Sequence, residues 1–236
     1  MALPKLNDLP NYELVIPSTG NTVSYRPFLV KEQKVLLMAL ESQDEKQILR
    51  AMIDTIKSCI NDPIKIESLA TFDIEYIFTQ LRSKSTGETS KVNLKCTECE
   101  EYTEVAINLN DIKIDVDKKN EMIQLTDQYS LKMKYPQYSG LLLQTESDDA
   151  DTLTNAIFEM IIMCLDELRT EEEIIKFSDE PREEIENFLE GLTTTQLDLI
   201  MNFVNNLPKL EHKVDFNCNA CNHENSLTLQ GLQDFF

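Results

Sequence analysis

The sequence predicts an α+β protein in which helical bundle portions surround a small antiparallel β region. Apolar and polar residues alternate in two stretches, 91–109 and 213–229, which is the pattern of half-buried strands. In several longer stretches apolar residues recur every three or four positions, which is the pattern of amphipathic helices. With 236 residues, 42% of them hydrophobic, the chain is long enough to bury one large core or two small ones.

The two alternating stretches repeat one pattern, and each is interrupted by a Cys-x-x-Cys motif. Cys96 and Cys99 form the first pair, and Cys218 and Cys221 form the second pair 122 positions later. Each copy therefore predicts a β-hairpin with two cysteines at its tip. Because four thiolates are the ligand set of a tetrahedral structural zinc site, we expect both tips to form one zinc-ribbon-like Zn²⁺ centre.

The separation of the two pairs is unusual for a zinc ribbon. Such motifs place their pairs roughly 15–20 residues apart, whereas 118 residues lie between Cys99 and Cys218. We interpret the intervening chain as an insertion whose ends are held together by the metal. Redox-active or disulfide-bonded pairs and unliganded thiols are the alternatives, and His223 is an alternative to one of the cysteine ligands.

The N-terminal part predicts a hairpin followed by three helices. Residues 12–16 and 22–30 are strand-like runs around a Pro/Gly/Asn turn. Residues 31–40 end in a run that is apolar all round, which is typical of a buried helix. Helical periodicity continues over residues 45–60 and 67–84.

The middle of the chain predicts more strands and then a helical insertion. Residues 112–116 and 131–135 alternate and are expected to extend the sheet that the zinc hairpins anchor, and three helical stretches occupy residues 152–168, 181–190 and 192–207. Four domains follow from this order: a hairpin plus helical domain (1–90), the first zinc hairpin with further strands (91–137), a helical insertion (138–207), and the second zinc hairpin with a C-terminal tail (208–236), which packs with 91–137.

Composition excludes several classes of partner and function. The chain has 22 basic and 42 acidic residues, a net charge of −20, so we expect no nucleic-acid or membrane partner. No apolar run has the length of a membrane span, which predicts a cytoplasmic protein, where reduced thiols favour metal binding over disulfides. Five scattered glycines and two histidines argue against a phosphate-binding loop and histidine-based catalysis. Composition thus offers no support for an enzyme or for a small-molecule substrate.

Three stretches carry a resemblance to a known family. They are YRPFLVKE at residues 25–32 with the following LLMALE, residues 72–87, and the second Cys-x-x-Cys hairpin with its flanks, residues 208–236. Together they resemble the baseplate hub proteins of T-even-type contractile-tailed bacteriophages. The chain departs from that family's pattern after the last cysteine pair, where Asn222 stands at a position often occupied by glycine.

The resemblance implies a non-catalytic subunit or assembly factor of the phage baseplate hub, with other hub and tail proteins as partners. Such a protein acts in the host cytoplasm during assembly and in the virion tail. A thiol–disulfide oxidoreductase using one Cys-x-x-Cys and a regulatory zinc adaptor of the host are the alternatives. We expect partner binding at an exposed apolar edge, through Tyr25, Arg26 and Phe28, and at the C-terminal tail, through Phe235 and Phe236. The tail docks either on its own domain or on a partner.

Overall fold

The computed structural model describes residues 9–114, 116, 121–138 and 153–235. The chain divides into two units, the first made of Met1–Asp115 and Lys209–Phe236 and the second of Val116–Pro208. Each unit combines helices with antiparallel strands, so the predicted α+β class is confirmed. Within the described ranges, no helix has both the length and the apolar content of a membrane span.

The first unit begins with the predicted hairpin, formed by β1 (Tyr12–Val15) and β2 (Thr22–Tyr25). The second strand is shorter than the alternation predicts. The chain leaves the ladder at Arg26, whose backbone N–H donates instead to the carbonyl oxygen of Cys59. Pro27 follows and has no N–H to continue the ladder.

Two of the three predicted helices pack as expected. Helix α2 (Glu45–Cys59) begins after Asp44, whose carboxylate accepts hydrogen bonds from the first turn. Helix α3 (Thr71–Thr86) follows. Their apolar faces form the helical core of this unit, which includes the fully buried residues Ile56, Cys59, Ile74, Ile77 and Leu81.

The first helix, α1 (Val30–Ser42), differs from its prediction. The helix forms, but only Glu32, Leu36 and Ala39 are buried. The expectation of a helix buried on all sides is therefore wrong for this chain, because its own packing covers one narrow face. The large apolar residues of α1 that remain exposed are Val30, Val35, Leu37, Met38 and Leu40.

Both predicted cysteine hairpins are confirmed, and they pack together. The first is formed by β3 (Thr89–Lys95) and β4 (Tyr102–Asn108), and the second by β9 (Glu211–Asn217) and β10 (Glu224–Gln230). An isolated antiparallel bridge joins Lys113 to Glu211. The two hairpins share one hydrophobic core: Val92, Leu94, Ile107, Leu109, Ile112, Leu210, Val214, Phe216, Leu229 and Phe235.

The second unit contains its own antiparallel sheet, which corrects two expectations. The strand predicted at residues 131–135 does not extend the sheet of the cysteine hairpins, and of the described residues 112–114 and 116 only Lys113 pairs, through its bridge to Glu211. The second unit's sheet has the order β5-β6-β7-β8, with the strands Met122–Gln124, Ser130–Met133, Leu165–Arg169 and Ile174–Lys176.

Three helices complete the second unit: α4 (Leu153–Cys164), α5 (Arg182–Glu190) and α6 (Thr194–Asn205). The helix predicted over residues 152–168 ends at Cys164, and the chain continues directly as β7. Leu165 and Leu168 are spaced for a helix, but pairing with β6 determines the backbone there. The insertion is therefore mixed rather than purely helical.

Candidate metal centre

Each cysteine pair lies in a tight turn between two strands. In the first turn the N–H of Cys96 donates to the carbonyl oxygen of Glu101 at 2.9 Å, and the N–H of Glu100 donates to the carbonyl oxygen of Cys96 at 3.1 Å. The second turn repeats both bonds around Cys218. These bonds fix the path of the chain, so the two turns have the same backbone hydrogen-bond pattern.

Both turns contain a left-handed residue directly after their second cysteine. Glu100 has φ 63° and Asn222 has φ 59°. Glycine adopts this conformation without cost, and asparagine tolerates it better than other side chains do. Asn222 therefore keeps the turn shape without a glycine at this position.

The two turns bring four sulfur atoms together. Sγ of Cys96 lies 3.7 Å from Sγ of Cys221, and Sγ of Cys99 lies 3.5 Å from Sγ of Cys218. All four lie within 4.8 Å of one another. A bonded disulfide is about 2.05 Å long, so these are four free thiols. A tetrahedral zinc site with Zn–S bonds of about 2.3 Å has sulfur atoms roughly 3.8 Å apart, which the cluster matches.

Two buried polar side chains connect the hairpins beside the sulfur cluster. Asn225 Oδ1 accepts from the N–H of Thr97 at 2.9 Å, and Thr103 Oγ1 accepts from the N–H of Asn219 at 3.2 Å. Both acceptors lie seven residues after the first cysteine of their own copy, so the two contacts are equivalent. The centre therefore has an approximate two-fold axis that relates the hairpins.

Backbone N–H groups favour charge on the first cysteine of each pair. The N–H groups of Cys99 and Glu98 lower the pKa of Cys96 to about 6 against the effect of burial, and the side-chain amide of Asn225 adds to this at 3.5 Å. The equivalent N–H groups in the second turn lower the pKa of Cys218. Two of the four thiols therefore ionise readily.

The second cysteines resist ionisation because the other thiols surround them. The N–H of Glu101 acts to lower the pKa of Cys99, but the neighbouring thiols and burial outweigh it and raise the pKa to about 12. The pKa of Cys221 is also raised: the N–H of His223 lowers it, and burial with the thiols of Cys218 and Cys96 outweighs that effect. A divalent cation bound between the sulfur atoms removes this conflict, since it stabilises all four thiolates.

The imidazole of His223 is exposed and lies outside the group of four side chains that the described residues bring together. Its backbone carbonyl has a structural role, because it accepts hydrogen bonds from the N–H of Cys218 and from Asn225. Sequence reasoning missed Asn225 and Thr103. Their signal is a polar residue at an inward position of an alternating strand.

A family model described as T4 bacteriophage base plate protein matches residues 9–236. The chain belongs to this family. The comparison with curated proteins and the comparison with solved structures each return no match. Family membership gives the chain a structural role in the phage baseplate, among other proteins of the tail.

Most of the expected partner-binding side chains of this baseplate protein are buried in the chain itself. Tyr25 and Phe28 are buried, and Phe235 is 0% exposed in the core that the cysteine hairpins share. Phe236 lies outside the described residues. A contact with another tail protein through these side chains stays a prediction.

Arg26 of the baseplate protein has a structural role in the YRPF stretch. Its guanidinium donates to Glu32 Oε1 at 2.9 Å and to the carbonyl oxygens of Pro27 and Ser58. Burial opposes the negative charge of Glu32, but Arg26 and the N–H of Leu29 outweigh it and lower the pKa of that carboxyl. This network ties the start of α1 to the end of α2.

Proposed function

We propose that this baseplate protein is a structural or assembly component of the central baseplate hub, and that a Zn²⁺ ion bound by Cys96, Cys99, Cys218 and Cys221 stabilises its fold. The hub role is supported by family membership together with the signature stretches. Four sulfur atoms with tetrahedral spacing, contributed by turns that lie far apart in the sequence, support the zinc site.

The proposed ion acts as a clamp rather than as a catalyst. It occupies the tips of two hairpins that already share a core, and all four positions of a tetrahedral site are filled by sulfur. No position is left for a substrate or water. Zinc binding then contributes to the folding free energy of the first unit, because the unfolded chain has no preformed site.

The metal is tested by native mass spectrometry of protein purified without chelator. We expect one zinc ion per chain and its loss in Cys221→Ser, which changes an exposed ligand. Cys59→Ser is the matched control, since Cys59 is buried outside the cluster, and it should keep the ion. A metal-free chain lighter by the mass of two or four hydrogens would replace the zinc proposal with disulfides. An iron spectrum would assign the four sulfur atoms to iron instead.

The oxidoreductase alternative is favoured by the lowered pKa of Cys96, which suits a nucleophilic thiolate. However, Cys96 is buried at the end of a strand, and its sulfur accepts hydrogen bonds from Glu98 and Asn225. Disulfide reduction by the zinc-free protein, abolished in Cys96→Ser, would support this alternative. Absence of such activity in the zinc-free protein would count against this alternative and leave the clamp.

The hub role is tested in infected cells with a tagged chain, by cross-linking followed by mass spectrometry of assembly intermediates and finished tails. We expect cross-links to proteins of the central hub. Cross-links confined to the periphery of the baseplate would contradict the proposal. Detection in finished tails identifies a permanent subunit, whereas detection only in intermediates identifies an assembly factor.

A further inference from the structure

Helix α1 exposes an unusual amount of apolar surface. Of the large hydrophobic residues that are exposed within the described ranges, five lie on this one helix, among them Val30 at 79% and Met38 at 60%. Isolated exposed apolar residues are ordinary, but several on neighbouring helical turns are typical of an interaction surface. The part of α1 that the chain leaves uncovered is thus suited to a protein partner.

The outward stripe of α1 has a defined pattern. From one helical turn to the next, Val30, Lys34, the pair Leu37 and Met38, and Glu41 follow at steps of three or four positions and therefore share one face of the helix. This face, which we call the α1 stripe, lies opposite the buried residues of the helix. The centre of the stripe is apolar. The positive Lys34 lies on its N-terminal side and the negative Glu41 on its C-terminal side.

The charges of the stripe are self-complementary. Leu37 and Met38 mark its centre, and Lys34 and Glu41 lie at equal distances on the two sides of it. When two such helices pack antiparallel about a two-fold axis at this centre, Lys34 of each copy lies opposite Glu41 of the other. Within the described residues neither side chain has an ion-pair partner, so both are available for this contact.

We propose that the α1 stripe is a dimerisation surface, on which α1 of a second copy packs antiparallel with the two-fold axis between Leu37 and Met38. The contact is isologous: the same patch serves both copies and closes the assembly at two. The two-fold axis creates two equivalent ion pairs, each between Lys34 of one copy and Glu41 of the other. Leu37 of each copy packs on Met38 of the other.

Charge favours a second copy over other occupants of the stripe. The chain carries −20, but Val30–Ser42 contains two lysines and two glutamates and is neutral. A contact centred here joins the copies where their mutual repulsion is small. One helix per copy gives an interface near or below the roughly 1,000 Å² that marks the lower limit of stable complexes, so the dimer is reversible and forms at high protein concentration.

The dimer is tested by sedimentation equilibrium of the full chain over a wide concentration range. We expect a monomer–dimer equilibrium that Leu37→Glu weakens by roughly tenfold or more, since it places a charge at the centre of the contact. Ile174→Glu is the matched control, because Ile174 is similarly exposed but lies on β8, and it should leave the equilibrium unchanged. A strictly monomeric chain would overturn the proposal.

A charge exchange identifies the geometry. Lys34→Glu and Glu41→Lys should each weaken the dimer about tenfold, because each creates two like-charged pairs. The double variant, Lys34→Glu with Glu41→Lys, should restore the equilibrium of the unmodified chain. Failure of restoration would overturn the antiparallel pairing. If the chain is monomeric and the single variants lose binding to another tail protein, the stripe is the binding surface for that protein instead. These outcomes do not depend on zinc or on the hub role.

Discussion

The backbone N–H of Phe28 donates a 2.9 Å hydrogen bond to Oγ of Ser85. The two residues lie 57 positions apart, in the two N-terminal stretches that carry the resemblance to the family, residues 25–32 and 72–87. Ser85 in turn donates to the carbonyl oxygen of Leu81. The segment that leads into α1 is therefore hydrogen-bonded directly to the last turn of α3. Both stretches thus contribute to the same structural contact.

Ser85→Ala should destabilise the first unit by about 1–2 kcal/mol, because the Phe28 N–H loses its acceptor in a partly buried place. Urea denaturation measures the change. Thr86→Ala is the matched control on the next residue. The Thr86 hydroxyl donates to the carbonyl oxygen of Arg82 on the exposed side of the same helix. It should shift stability by no more than roughly 0.5 kcal/mol. Equal effects of both variants would contradict a special role for Ser85.

Asn225→Ala should weaken zinc binding roughly 10- to 100-fold without removing a ligand, as loss of a group that orients metal ligands commonly does. The substitution removes the contact to Thr97 and the amide that faces Cys96. Competition with a chromogenic chelator measures the affinity. Asn217→Ala, at an exposed position of the same hairpin, should bind zinc like the unmodified chain. An unchanged affinity in Asn225→Ala would limit Asn225 to packing.

Glu100→Gly should stabilise the first unit by about 0.5–1 kcal/mol, because it relieves a left-handed backbone in a residue with a side chain. The exposed ion pair with Lys95 that it removes contributes little. Asn222→Gly should have a smaller effect, since asparagine tolerates this conformation. Thermal unfolding measures both. Glu101→Gly is the control without a positive φ and should destabilise the turn.

Glu75→Gln should stabilise the protein above neutral pH and have little effect in acid. Burial raises the pKa of Glu75 from 4.5 to about 7. Between these values the folded chain holds a proton that the unfolded chain has lost, so the free energy of unfolding falls as pH rises through this window. The variant removes that cost, by roughly 1–3 kcal/mol at high pH.

Denaturation of both proteins at about pH 5 and pH 8 measures this difference. Glu183→Gln, at an exposed position of α5, is the control and should show no such pH dependence. A stabilising effect of Glu75→Gln that is the same at both pH values would mean that the charge of Glu75 is not its cause.

The sequence predicted the cysteine hairpins well because two independent signals agree there. Alternation defines the strands, and the repeat shows that Cys96 corresponds to Cys218 and Cys99 to Cys221. The sulfur atoms of Cys96 and Cys221 lie next to each other in the centre that these two hairpins form. The contacts of Asn225 and Thr103 were not predicted, because a polar residue at an inward position has no assigned partner until the hairpins are placed together.

The predictions that were wrong depended on the spacing of apolar residues alone. The run in α1 indicated burial, but hydrophobicity does not say whether the covering surface belongs to the same chain. Leu165 and Leu168 fit a helical period, yet the ladder with β6 determines their backbone. The assignment of residues 131–135 to the cysteine hairpins failed for a similar reason, since alternation does not name the neighbouring strand.

The bridge between Lys113 and Glu211 closes the first unit only after the whole second unit has been synthesised. On the ribosome, β3 and β4 emerge long before β9 and β10, so Cys96 and Cys99 initially present half of a ligand set. The strands of the second unit lie close together in sequence, and that unit can complete first. For the zinc site that we propose, metal capture would then be the last folding event, and the supply of zinc at that moment would set how many chains mature.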